Sequence, residues 1–357
     1  MSRPLFILLA ALALAIPASG SAQTTAEQER AQERIERDRE RVRERAERLR
    51  EEQTERAERL REQAQERAER DRDRARERAE RESAGSLDTA VAFAANGTLT
   101  VNCAGGDVVV TGTDRNEIRV RARTERGTIR FSSSGSTATL EPSASRSCND
   151  GHFEVSVPAG IKLVAGTWSG SLSVRGVHGT IEAHAQSGDI EVRDAGADLE
   201  AETMSGDLTV QGVKGDANLH TLSGDVTVTG ARGNVDVETV SGDIELHDVI
   251  ARQVRTHSTS GDLTFGGSIL QNGRYEFNTH SGEVRLQLPP DVGAQLSLST
   301  FSGEIDSAFP ITLIAGTHGI GASQAKKLDF TLGKGSAKII AETFSGDVTL
   351  ASTSKRQ

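Results

Sequence analysis

Aromatic residues are scarce: ten Phe, one Trp and one Tyr make up 3% of 357 residues. A thick globular core draws much of its buried area from such side chains, so burial here has to come from Val, Ile, Leu, Ala and Thr. Cysteine is nearly absent, with only Cys103 and Cys148 present. Two residues exclude a disulfide-dense scaffold, and no C-x-x-C spacing supports a redox pair. In an oxidising compartment they predict one disulfide closing a loop of about 45 residues. No apolar run after residue 16 approaches the ~20 residues a membrane-crossing helix needs.

The first residues differ from all that follow. Arg3 precedes a 12-residue apolar run from Leu5 to Ile16, then Pro17 and the small residues Ala18 to Ala22. A basic start, a short apolar centre and a small-residue end predict a secretory signal peptide over 1–22, cleaved after Ala22. The mature chain is therefore expected in the periplasm, in the medium or at the cell surface, with no transmembrane segment.

Charge is distributed unevenly. Residues 23–84 hold 19 Arg against 20 Asp and Glu, so the net charge of −10 rests on the rest of the chain. An acidic body argues against nucleic acid as a partner, because phosphate contacts need concentrated positive charge.

Residues 23–84 contain no Gly, Pro or aromatic and consist mostly of Glu, Arg, Ala and Gln, all good helix formers. Four 11-residue units begin at Glu33, Glu44, Glu55 and Glu66, and a fifth begins at Glu77. Eleven residues over three turns lie close to the natural helical period, giving a nearly straight stripe of Ile35, Ala46, Ala57, Ala68 and Ala79, widened by Val42, Leu49, Leu60, Ala64 and Ala75. A solvated spacer helix is predicted. A weak coiled coil that makes the arm oligomeric is the alternative, although Asp38 and Asp71 interrupt its seam.

From Gly166 onward one phrase recurs. Ser-Gly followed by an acid stands at Asp189, Asp207, Asp225, Asp243, Asp262, Glu283, Glu304 and Asp347, with Ser169-Gly170-Ser171 as a degenerate first copy. Four consecutive intervals are 18 residues; the later ones are 19, 21, 21 and 43. Such a period is the signature of a solenoid. Each period carries two short alternating runs, such as Leu199-Glu200-Ala201 and Leu208-Thr209-Val210, separated by corners rich in glycine. The predicted fold is all-β: a parallel β-solenoid of ~18–21-residue coils, preceded by the long charged α-helix. Residues 85–165 read as its irregular start, 166–350 as the repeat body and 351–357 as a tail. An insert near 307–338 is expected to replace about one coil.

Registry at this period predicts columns. Thr203, Thr221, Thr239, Ser258, Thr279, Thr300 and Thr343 would stack, each hydroxyl able to bond the neighbouring coil. Ile190, Leu208, Val226, Ile244, Leu263, Val284, Ile305 and Val348 would form an inner aliphatic column. The corner acids would lie ~5 Å apart and repel by ~1 kcal/mol per neighbour even in water. Capping of corner N–H groups is the expected resolution, and calcium between the carboxylates is the other. His184, Glu202, His220, Glu238 and His257 would alternate down an outward column, as a pairing ladder or as a divalent-metal surface for an ion such as zinc.

Chemistry requires one unique cluster, whereas the prominent polar residues here repeat in every coil. None of the repeated serines sits in G-x-S-x-G, so no catalytic residue and no organic cofactor is predicted.

Residues 87–350 resemble the bacterial "putative adhesin" β-strand-repeat family, whose domains are of unknown function. The resemblance rests on Gly106–Gly112, the phrase Phe153–Gly160, the Ser-Gly-Asp repeats and Gly333-Lys334-Gly335-Ser336. It implies an extracytoplasmic β-solenoid with an adhesive or envelope role and no established catalytic residues. The expectation is a non-catalytic exported scaffold of the cell envelope or surface, meeting an envelope protein, a glycan or another copy. An accessory role in envelope-stress signalling is a second reading, and a polysaccharide-active β-helix enzyme a third.

Overall fold

The computed structural model describes residues 25–82, 85–103, 105–125, 129–142, 151–310 and 326–353. The segment read as a signal peptide, Cys148 and the end of the tail lie outside them. The chain divides into two units, 1–76 and 77–357.

The hendecad sequence forms one α-helix, Thr25–Glu82. Glu33–Arg37, Glu55–Arg59 and Glu66–Arg70 pair at 3.1 Å each, one turn apart on its exposed surface. Each such pair adds only ~0.2–0.5 kcal/mol, so a series of them is what supports a solvated helix. Leu49 and Leu60 are both more than half exposed.

In the body, alternation produces strands with one face in and one out. Leu199–Ser205 buries Leu199, Ala201 and Thr203 and exposes Glu200, Glu202 and Met204. After the Ser-Gly-Asp corner, Leu208–Val213 does the same with Leu208, Val210 and Val213 inward. Parallel pairing from coil to coil then builds two sheets. On the first face Leu163, Ile181, Leu199, Ala217, Val235 and Val254 are in register. On the second, Leu172, Ile190, Leu208, Val226, Ile244, Leu263 and Val284 are in register. The fold is a parallel β-solenoid.

The space between the sheets is filled mainly by aliphatic side chains. Its aromatic centre is Phe265, Tyr275 and Phe277, with ring centroids 5.0–6.0 Å apart. The longer periods are taken up at the second corner. There Ile244–Ser260 and Leu263–Ser281 run as continuous strands, with register shifts between Leu246 and Val249 and between Ala251 and Gln253.

Glycine is required at the Ser-Gly-Asp corner because of how closely the coils stack. Gly206 and Gly224 both have φ 147, and a Cβ on Gly224 would overlap the carbonyl of Gly206 in the coil below.

Both ends depart from sequence order. Of the insert expected near 307–338, residues 311–325 lie outside the described ones. Ala294–Ser302 and Ile305–Ser307 form a coil, and Lys326–Leu332 returns antiparallel to Ala294–Ser302. The last coil in the sequence, Ala337–Ser345 with Val348–Ser352, then slides between the coil of Tyr275 and the coil of Leu296. At the other end Thr98–Cys103 lies between Thr137–Pro142 and Lys162–Ser169, and Gly106–Thr113 lies between Gly151–Pro158 and Leu172–Arg175. Antiparallel strands Gly85–Ala92 and Glu117–Thr124 extend the second face there. Such additions cover the open strand edges that would otherwise template aggregation.

Candidate functional site

The predicted columns can be followed rung by rung. The aliphatic column runs Ile190, Leu208, Val226, Ile244, Leu263, Val284, Val348, Ile305, with its last two members in the reverse of sequence order. In the hydroxyl column, Thr203 donates to the carbonyl of Gly188 at 3.2 Å, Thr279 to Gly261 at 3.2 Å, Thr343 to Gly282 at 3.1 Å and Thr300 to Gly346 at 2.8 Å. The hydroxyls therefore bond the glycine corner of the neighbouring coil. Thr239 Oγ1 and Ser258 Oγ are buried without a hydrogen-bond partner.

The corner acids form a capping ladder from Asp189 to Glu283, with a separate step between Asp347 and Glu304. The backbone N–H of Asp207 donates to Asp189 Oδ1 at 2.9 Å, Asp225 to Asp207 at 2.9 Å, Asp243 to Asp225 at 2.8 Å and Asp262 to Asp243 at 2.8 Å. Glu283 N–H closes on Asp262 Oδ1, and Glu304 N–H on Asp347 Oδ1, both at 2.8 Å. Each of these aspartates is thus stabilised by a donor from the next coil. Glu283, one methylene longer, turns aside to Arg285 and to Thr349 Oγ1. The aspartates of the ladder make no ion pair among the described residues, so the corner is a line of uncompensated carboxylates.

His184, Glu202, His220, Glu238 and His257 occupy one outward column. They meet in twos, not in larger sets: His184 Nδ1 lies 3.5 Å from Glu202 Oε2 and His220 Nδ1 3.5 Å from Glu238 Oε2. His257 is followed by Asn278. Among the described residues no group of three or more His, Cys, Asp and Glu is placed to hold a metal ion. Rungs ~4.8 Å apart bring neighbours on the column together, and here they do so as His–Glu pairs.

Two charged groups on the strands are held by arginines. Burial raises the Glu276 carboxyl, but Arg274 and Arg255 beside it outweigh that and leave its pKa below the usual value. Burial also raises Glu191, and Arg193 and Arg175 lower it further than burial raises it. Cys103 is buried, with Sγ 3.0 Å from the Gly105 carbonyl oxygen, and its expected partner Cys148 lies outside the described residues. At the N-terminal end, an open depression of about 540 Å³ is lined by Asp88, Arg121, His152 and Glu154 among others. Its acids are already engaged: Asp88 with Arg119 at 3.3 Å and Glu154 with His152 at 3.4 Å.

Sequence reasoning missed one column. The residue before each corner serine points outward on the first face, and there stand Trp168, Met204, Leu222, Val240, Phe344 and Phe301, all about half exposed. Their neighbours Thr203–Thr221–Thr239 and Ser205–Ser223–Ser241 are in register, so these side chains form a stripe. Gln186, Thr259 and His280 fill the intervening rungs. At one end Phe301 stacks on Phe344 at 4.8 Å and Phe344 on His280 at 4.9 Å. The signal was present in the 18-residue registry, two residues after the His and Glu column.

Two sheets of registered short strands, end strands that cover the edges and repeated outward columns define a capped repeat solenoid. The chain belongs to the Toastrack DUF4097 family, a domain of unknown function, whose model matches residues 97–351. Among solved structures it is similar to a putative adhesin from Bacteroides fragilis (11% identity, 74% of this chain and 96% of that one, TM-score 0.39). It is also similar to a putative adhesin from Parabacteroides distasonis (10%, 75% and 97%, 0.40) and a putative cell adhesion protein from Clostridium sporogenes (12%, 75% and 100%, 0.21). Comparison with curated proteins gives no match. Among the described residues no helix is long and apolar enough to cross a membrane.

Proposed function

We propose that the chain is a non-catalytic, exported interaction scaffold of the cell envelope or cell surface. The observation that carries this reading is repetition: the outward side chains that vary from water-facing norms recur once per coil along a rigid ladder, whereas a reacting centre is a single place. A ladder of this kind offers an extended, flat, acidic face, which suits binding spread over many rungs. The first 22 residues support export, and the charged helix supports a spacing role.

Two measurements test it. Expressed in a bacterium, the full chain is expected outside the cytoplasm with its mass reduced by residues 1–22; retention of the intact chain inside the cell overturns export. Coupled to beads, the full chain is expected to capture envelope fragments without releasing new reducing ends from envelope polysaccharide. No capture, or steady release of sugar, overturns the scaffold.

A further inference from the structure

The apolar stripe and the carboxylate ladder are neighbours, and together they specify a partner. Met204 stands three residues before Asp207, Leu222 before Asp225, Val240 before Asp243, Phe344 before Asp347 and Phe301 before Glu304. Each of these five apolar side chains is thus followed by the acid of its own corner, whereas Trp168 is followed by Ser171, and Glu202, Glu238 and Glu342 stand two residues before Met204, Val240 and Phe344. Exposed large apolar residues scattered singly need no explanation, but the solenoid lines them up on one column. Nine rungs at ~4.8 Å span about 38 Å.

We propose that this stripe, with the acids that flank it, is the docking surface for a basic amphipathic helix of a partner protein. This rests on the scaffold reading and names where and what the scaffold binds. A helix with a narrow apolar face would lie along the stripe as helices cover sheet faces, and its flanking Lys and Arg would meet the aspartates, which make no ion pair among the described residues. A second copy of the chain fits worse, because stripe-to-stripe contact would bring two carboxylate ladders together. An anionic lipid surface is repelled for the same reason.

The probe is a synthetic amphipathic helix of Leu and Lys, titrated against the full chain. Trp168 is the chain's only tryptophan and lies in the stripe, so its fluorescence reports docking directly. Saturable binding is expected, with affinity falling as salt rises. The double variant L222S/F344S is expected to bind about tenfold or more weakly, as loss of two large apolar anchors does. Its far-UV spectrum should match the wild type and its melting temperature should fall by only a few degrees, because both side chains point outward and only the stacks of Phe344 on Phe301 and His280 are lost. The same peptide with Glu for Lys should not bind. Wild-type affinity in L222S/F344S, or equal binding of the Glu peptide, overturns the proposal. So does a dimer in light scattering that L222S/F344S abolishes, which assigns the stripe to self-association. Envelope capture on beads separates the two levels. Capture undiminished in L222S/F344S removes this surface and leaves the scaffold, whereas absence of capture by the wild type removes the scaffold itself.

Discussion

Ser281 is paired in register with Ser345, and Ser345 in turn with Ser302. The coil that comes last in the sequence is thus an interior rung, gripped on both sides. Its backbone serves both neighbours: Gly282 N–H donates to Ser345 O at 3.0 Å, Val284 N–H to Asp347 O at 2.9 Å and Gly346 N–H to Ser302 O at 3.1 Å. The same device stands at the other end, where Val108 faces both Phe153 and Leu172. Segments distant in the chain are stitched together at each end, so neither terminus can unravel coil by coil.

Deletion of 337–357 should therefore do more than shorten the ladder. In a simple linear array, loss of an end repeat trims stability by one interface. Here the strand Leu263–Ser281 and the coil of Leu296 would lose their common partner. The expected result is a melting temperature lowered by more than 10 °C, on the order of several kcal/mol, with early protease cleavage between 282 and 336. An unchanged melting temperature would show that the interposed coil contributes no coupling.

Gly224→Ala should destabilise the body by about 1–3 kcal/mol or more, from the backbone angle and from overlap with the Gly206 carbonyl. Gly166→Ala is the control, because a Cβ there meets only the end of Asn102 at 3.4 Å; its effect should stay within about 1 kcal/mol. Urea midpoints of the two variants decide it. Equal shifts would mean that coil spacing does not dictate the glycine.

The Thr column yields a pair of opposite sign. Thr203 Oγ1 bonds the Gly188 carbonyl, whereas Thr239 Oγ1 is buried with no partner. Thr203→Val should cost about 1 kcal/mol, and Thr239→Val should gain a similar amount by removing an unsatisfied polar atom. Both are read from urea midpoints at constant slope. Matching signs would show that the orphan hydroxyl carries no penalty.

The period, the two faces and the columns were legible because each follows from local rules: alternation sets which side chain is inward, and the corner glycine sets the coil. The order of the last coils was not. Thr300-Phe301-Ser302 and Thr343-Phe344-Ser345 carry equivalent residues at equivalent positions, so pattern alone leaves either able to face Ser281. Only packing of the return strand Lys326–Leu332 on Ala294–Ser302 places the latter at the end. The His and Glu column was legible as a column, but which members meet, His184 with Glu202 and His220 with Glu238, was not, since side-chain angles are not encoded in a linear repeat. The apolar stripe was readable in the residues before each corner serine, and was passed over because apolar residues in strands are expected inward.

Tyr275, the chain's only tyrosine, is fully buried; its hydroxyl donates to the Ala251 carbonyl at 2.7 Å and accepts from Leu270 N–H at 2.8 Å. Burial raises its pKa above the usual value of 10.0, opposed in part by the Leu270 bond. The protonated phenol is the form the fold accepts. Its contribution is complete below about pH 10, where the unfolded chain also keeps the proton, and is lost as pH rises because the unfolded chain ionises first. Tyr275→Phe should cost about 1–2 kcal/mol at neutral pH, since two backbone groups lose a partner. Its stability should then fall less steeply than that of the wild type above about pH 10. Tyrosinate absorbance tracks ionisation of this one residue alone, so it should appear together with unfolding rather than before it. Parallel pH profiles for the two proteins, or ionisation while the wild type remains folded, would show that the phenol is not sealed in the core.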